Sequence, residues 1–219
     1  MAKNKRKNGI LLDASIIART LVAYDPWWSE AGFSWNNPAF KRDVFLQAIS
    51  HIESGHGMAL LINGPRRVGK TTIMRQLIEH LLKVKKIAPA EILFFSLDDP
   101  LVQQLPQENQ GEVFERIMEE WEAKLGKKIA QLPLPVYCFL DEVQRLPHWE
   151  LYIKRYVDLK YPIRFVISGS ASHTIFRKSL ESLLGRLVDI SLPPFSFREW
   201  IRFHYGEYAA VCDELAGAK

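Results

Sequence analysis

Gly64-Pro65-Arg66-Arg67-Val68-Gly69-Lys70-Thr71 is the stretch on which the reading of this chain turns. It fits G-x-x-x-x-G-K-[ST], the pattern of a Walker A phosphate loop. Its flanks fit as well. Met58 to Asn63 is a short apolar run, the size of a buried parallel strand. Behind the loop, Ile73, Met74, Leu77, Ile78, Leu81 and Leu82 recur with helical spacing, and Arg75, Gln76, Glu79, His80 and Lys83 fill the other face. Strand, glycine loop, helix is the order this motif needs.

The chemistry follows from the backbone. Gly64 and Gly69 allow angles that residues with a Cβ resist and let the chain approach a ligand closely. A loop curled in this way turns its N–H groups inward, and the helix start adds unpaired donors and partial positive charge. The expected nucleotide-binding set is Gly64, Pro65, Arg66, Arg67, Val68, Gly69, Lys70, Thr71 and Thr72. Lys70 is expected to reach the β- and γ-phosphates, and the Thr71 hydroxyl to hold Mg²⁺. The competing reading is an ordinary glycine-containing turn between strand and helix.

Composition bounds the rest. With 219 residues, 47% of them hydrophobic and 25% charged, the chain is long enough for one α/β domain with extensions. A net charge of +4 is only mildly basic and argues weakly for nucleic acid. Part of it sits in Lys3, Lys5, Arg6 and Lys7, which read as a solvated tail. No apolar run approaches a membrane span, and residues 10–22 are interrupted by Asp13, Ser15 and Arg19, unlike a secretory signal. Cys138 lies in an apolar run and reads as core. With Cys212 it forms no metal-ligand spacing, and the six histidines show no zinc pairing. A reducing, cytoplasmic setting fits this usage.

Along the chain, residues 1–9 read as disordered and Ile10–Val22 as carrying a short amphipathic helix. Trp27, Trp28, Phe33 and Trp35 crowd a loop-like stretch. Core packing is the favoured reading over stacking on an adenine ring. Asn37-Pro38 has the form of a helix start, a cap and then Pro. Glu91–Ser96 reads as the second strand, followed by Asp98-Asp99-Pro100, a turn with a helix cap or a pair of carboxylates for a metal or partner. Helices are expected over 108–125, 149–159 and near 173–184, with strands over 163–167 and 187–192.

Val136-Tyr-Cys-Phe-Leu140 runs into Asp141-Glu142, an apolar strand ending in two carboxylates, as in a Walker B motif. Asp141 would hold the magnesium through water, and Glu142 has the place of the base that polarises an attacking water. An acidic cap on the next helix is the bland alternative. Ser168 and Ser170 close the following strand beside the glycine loop, where they could sense a γ-phosphate or serve only as turn residues. The order is βαβαβαβαβ, which right-handed crossovers convert into a parallel sheet covered on both faces.

Four signatures together resemble one group of proteins: Gly64–Thr72, Phe139–Glu150, Ile167–Ser172, and Gly185-Arg186-Leu187-Val188 with Pro194–Trp200. They are similar to the prokaryotic AAA-type ATPases often carrying a C-terminal DUF4143 region, over roughly residues 40–202. The resemblance implies a three-layer P-loop α/β/α core with a five-stranded parallel sheet in the order 5-1-4-3-2. It also implies ATP and Mg²⁺, with catalytic roles for Lys70, Glu142, Arg186 and a sensor in Ser168 or Ser170. Arg186 matches an arginine finger or sensor position. A surface Arg beside a helix C-terminus is the alternative. Group members usually continue into a helical lid and a further module, so the expected division is an extension at 1–36, a core at 37–192 and the truncated start of a lid at 193–219.

The leading expectation is Mg²⁺-dependent ATP hydrolysis driving a conformational switch or motor, with a homo-oligomer or protein partner left open. Two others stand beside it: a nucleotide-binding interaction module that hardly hydrolyses, and nucleic-acid binding through Arg66, Arg67 and the basic tail. A small-molecule kinase is disfavoured by Glu142, because a kinase must exclude the water that this residue recruits. ATP is favoured over GTP because no Asn-Lys-x-Asp stretch is present.

Overall fold

The computed structural model describes residues 14–54, 57–170 and 181–206. The basic tail, His56, Ser172, Cys212 and most of the helix expected near 173–184 lie outside the described residues.

Five strands form one parallel sheet: β1 (Ala59–Asn63), β2 (Ile92–Ser96), β3 (Val136–Asp141), β4 (Ile163–Gly169) and β5 (Leu187–Ser191). Their order is β2-β3-β4-β1-β5, which is 5-1-4-3-2 read from the other edge. Register is what matters for the site. Leu61, Ile167, Leu140 and Phe95 lie side by side across four strands. One residue further on, Ser168 pairs with Ile62 of β1, and Asp141 pairs with Ser96 of β2. The ends of β1, β3 and β4 therefore open on one edge, with β4 between the other two.

Alternation of side chains divides the core into two layers. Leu61, Leu93, Phe95, Cys138, Leu140, Phe165 and Ile167 face one side. There they meet α1 (Ala14–Tyr24), a 19-residue helix at Gln107–Leu125 and another at Trp149–Asp158. Leu60, Ile62, Phe94, Phe139, Val166 and Ile190 face the other side, against α2 (Val44–Glu53) and α3 (Lys70–Lys83). Between α3 and the 19-residue helix lies the single turn α4 (Pro100–Gln103). We label the later helices α5 (Gln107–Leu125), α6 (Trp149–Asp158) and α7 (Phe197–His204). Phe95, Phe114, Trp121 and Phe165 are almost wholly buried, each contributing on the order of 2–3 kcal/mol.

The segment ahead of α2 closes the outer edge of β2. The Asp25 carboxylate accepts the Phe94 N–H (2.6 Å), and the indole N–H groups of Trp27 and Trp28 donate to the Ile92 carbonyl (3.3 and 2.9 Å). An edge strand left open is a template for unwanted pairing, and here side chains occupy it. Ile17, Leu21 and Trp27, which precede residue 37, belong to the buried core.

One local expectation changes. Asn37-Pro38 does not start a helix: α2 begins only at Val44. The side chain of Gln76 on α3 donates to the carbonyls of Pro38 and Phe40 (2.9 and 3.0 Å), so tertiary hydrogen bonds hold this run against α3. Asp99 acts as a helix cap: one carboxylate oxygen accepts the Leu101 N–H at the start of α4 (2.7 Å) and the other accepts the Tyr24 hydroxyl (2.8 Å). Asp98 pairs with Arg145 (2.9 Å).

Candidate functional site

The glycine loop leaves β1 at Asn63 and enters α3 at Lys70. Its two glycines serve different needs. Gly69 has φ of 101°, and Arg67 two residues earlier also lies in the left-handed region, at 64°. Gly64 is not in that region. A Cβ there would stand 2.2 Å from the Leu192 carbonyl oxygen, where the loop passes the end of β5. The close approach that requires Gly64 is thus to neighbouring backbone, not only to a ligand. Lys70 is buried at the first turn of α3, and its ammonium donates to the Gly64 and Pro65 carbonyls (3.1 and 2.8 Å). Pro65, Arg66 and Arg67 are exposed around the rim, while Val68, Gly69, Thr71 and Thr72 are half-buried.

The register of the sheet brings the second motif to this loop. The Thr71 hydroxyl donates to the Asp141 carboxylate (2.6 Å), 70 positions away in sequence. The other Asp141 oxygen accepts the Ser168 hydroxyl and lies 3.2 Å from the Glu142 N–H. Ser168 in turn accepts the Glu142 N–H (3.1 Å). Glu142 adopts a left-handed backbone (φ 56°, ψ 46°), so the chain turns sharply after β3. The Glu142 carboxylate accepts the Gln144 amide N–H, and the Gln144 carbonyl oxygen accepts the Ser170 N–H (3.3 Å). Lys70, Thr71, Asp141, Glu142, Ser168 and Ser170 therefore share one sheet edge, with Ser168 and Gln144 cross-linking β3 to β4.

Among the described residues, no three His, Cys, Asp or Glu side chains cluster as a metal cage. One hydroxyl and one carboxylate in contact nevertheless match the donor set of Mg²⁺, which keeps waters and takes its other ligands from phosphate oxygens. Thr71 and Asp141 are the residues that could hold it.

Arg186 is elsewhere. It immediately precedes β5, and its carbonyl accepts the N–H of Ala59 at the start of β1. It therefore sits at the opposite end of the sheet from the glycine loop, in an ion pair with Asp158 that holds this aspartate below its usual range. The aromatic stretch is also remote. Trp27, Phe33 and Trp35 pack on one another edge-on or tilted, beside Leu82 and Ile87 at the far end of α3. Core packing accounts for them.

Sequence reading passed over two groups that touch the site. Arg42 reaches the Val68 carbonyl (3.1 Å) and is paired with buried Glu199. Ser196-Phe-Arg-Glu199 has the spacing of a capping box, and both of its hydrogen bonds form at the start of α7. Nothing local, however, signals the partner 157 positions away. Gln144 was visible only as the fourth residue of Asp-Glu-Val-Gln.

Comparison with known proteins adds the following. The family model described as an AAA domain matches residues 56–201. An uncharacterized protein of Haemophilus influenzae is 24% identical over 160 residues, and one of Methanocaldococcus jannaschii is 24% identical over 143. These matches take in 73% and 65% of this chain but only 37% and 28% of the relatives, so the chain spans about a third of their length. Among solved structures, S. cerevisiae Hsp104 in an ADP complex superposes with a TM-score of 0.53 at 14% identity, over 88% of this chain and 26% of that one. C. elegans PCH-2 gives 0.51 at 12% identity, over 81% of this chain and 50% of that one. At such identities the likeness is one of fold.

Proposed function

This chain belongs to the AAA domain family, and from that premise we propose that it binds ATP with Mg²⁺ and hydrolyses it as a conformational switch. The observation that carries the reading is the contact of Thr71 with Asp141, beside Lys70 and Glu142. A helix-start hydroxyl and a strand-end carboxylate meet where a polyphosphate would lie along the glycine loop.

In this reading the loop N–H groups and the Lys70 ammonium cradle the phosphates, drawing the ammonium from the Gly64 and Pro65 carbonyls. Thr71 and Asp141 would hold Mg²⁺, which would neutralise charge on the phosphoryl oxygens. Ser168 fixes the Asp141 carboxylate by donating to it. Glu142 takes a proton from, or orients, the water that attacks the γ-phosphorus in line. Catalysis is then mostly positioning and electrostatics. Arg186 cannot meet that phosphate within its own chain, because it lies across the sheet. As an arginine finger it would have to serve the site of a neighbouring copy, after leaving Asp158.

The test is phosphate release from Mg·ATP, with binding measured on the same samples. Wild type should turn over, Glu142→Gln should bind without turnover, and Lys70→Ala should lose both. A second reading, a module that holds nucleotide without hydrolysis, is favoured by the hydrogen bond between Gln144 and the Glu142 carboxylate. Binding without turnover in wild type would select it. Absence of binding would remove both.

A further inference from the structure

Arg42 is almost fully buried, yet hydrolysis as described above gives it no task. Its guanidinium grips Glu199 with two prongs, Nε to Oε1 (2.7 Å) and Nη2 to Oε2 (3.0 Å). Nη2 also donates to the Pro193 carbonyl (2.8 Å), and Nη1 donates to the Val68 carbonyl (3.1 Å). The Phe195 ring lies against it, 4.5 Å from ring centre to guanidinium carbon. Glu199 sits in the first turn of α7, and its oxygens also accept the N–H groups of Asp43 and Ser196 (3.0 and 3.1 Å). One buried pair thus joins the glycine loop, the entry to α2 and the start of α7.

Val68 lies between the left-handed residues Arg67 and Gly69. In a planar trans peptide the C=O and the following N–H point in opposite directions. Arg42 holds the Val68 oxygen toward the core side of α2 and α7. The N–H of Gly69, in the same peptide plane, is thereby turned away from Arg42.

We propose that Arg42 is a positioning residue of the nucleotide site, aiming the Gly69 N–H at the phosphates, and that Glu199 makes helix α7 part of the same device. This rests on the nucleotide-binding reading above. The two ends are then thermodynamically linked. Nucleotide drawn onto the Gly69 N–H tightens the hold on α7, and loosening α7 weakens nucleotide by the same factor. Lysine could not replace Arg42, because one ammonium lacks the planar fork that reaches Glu199 and Val68 together. The bland alternative is a staple that fastens α7 to the core and leaves the loop alone.

The experiment compares Mg·ATP affinity by titration calorimetry in wild type, Arg42→Lys, Glu199→Gln and Lys70→Ala, with hydrogen exchange of 197–204 followed with and without ATP. Each of the first two variants should bind about tenfold more weakly, the scale of one charge-assisted hydrogen bond. ATP should slow exchange across α7 in wild type but not in Glu199→Gln. Glu199 touches neither loop nor nucleotide, so a mere staple would change its melting temperature and not its affinity. Should Arg42→Lys fail to fold, Glu199→Gln carries the test, since Gln keeps one carbonyl oxygen to accept the N–H of either Asp43 or Ser196. Affinities within twofold of wild type, with Lys70→Ala inactive in binding, would overturn the coupling alone. Wild type that does not bind, or Lys70→Ala that binds normally, would overturn the nucleotide reading and this proposal with it.

Discussion

Replacing Gly64 with alanine tests whether this glycine is needed for space rather than for backbone angle. The added Cβ would lie 2.2 Å from the Leu192 carbonyl oxygen. That obstacle is backbone, so it cannot swing aside like a side chain. The ends of β1 and β5 would have to part by about 1 Å, against an interior packed to crystal density. The parting falls on the Leu192 N–H bond to the Asn63 carbonyl (2.6 Å), the last link between these strands. Overpacking costs about 1–3 kcal/mol and the weakened hydrogen bond about 1 more. The expected loss is therefore about 2–4 kcal/mol, or a melting temperature lower by about 5–15 °C for a chain of this size. Gly69→Ala is the comparison. Nothing lies within 4 Å of its Cβ position, and only its φ of 101° resists substitution, at about 1–2 kcal/mol. Urea unfolding of both variants decides the matter. If Gly64→Ala is within about 0.5 kcal/mol of wild type, or Gly69→Ala is the less stable of the two, the reasoning from close approach fails.

The titrating groups give two further expectations. Burial alone would raise the Glu199 carboxyl, but the Arg42 guanidinium and the N–H groups of Asp43 and Ser196 bring it down to about 2. Its contribution is present above the ordinary carboxylate value and lost as pH falls toward 2, so the stability gap between wild type and Glu199→Gln should shrink over that acid window in urea titrations. Asp25 has the opposite sign: burial pushes it well above the usual range despite the Phe94 N–H, and one of its oxygens has no hydrogen-bond partner. Wild type should therefore lose stability relative to Asp25→Asn as pH rises above 4, and a flat difference from pH 4 to 8 would refute a buried neutral carboxyl. Gln144→Ala separates the two readings: with ATP affinity within twofold, turnover should fall about tenfold if the hydrogen bond orients Glu142 for catalysis, and rise if it withholds that carboxylate from the water. Unchanged turnover would show that Gln144 serves only the turn.

Much of this protein was legible in its sequence, because the informative constraints are local. Met58–Asn63 has the length and apolar character of a buried strand, Gly69 admits the left-handed turn, and Ile73 to Leu82 repeat at helical spacing. The same holds for Val136–Leu140 running into Asp141 and Glu142, and the alternation of strands and helices implied a parallel sheet. Sheet order came from the likeness to a family, and the structure has that order. Asn37-Pro38 misled, because its cap chemistry was local while the hydrogen bonds from Gln76 were not.

Tertiary structure alone decided the remainder. Register at the ends of β3 and β4 sets Ser168 against Asp141, and the crossover from β1 brings Thr71 to the same carboxylate. Gly64 looked like a loop residue freed for its backbone angle, and only the packing of β5 beside β1 shows which atom it avoids. Nothing local in the sequence singles out Arg42, and Glu199 is visible there only as part of Pro194–Trp200. Their pairing, and its reach to Val68, depends on where two distant ends of the chain are carried by the sheet, and no local periodicity encodes that distance.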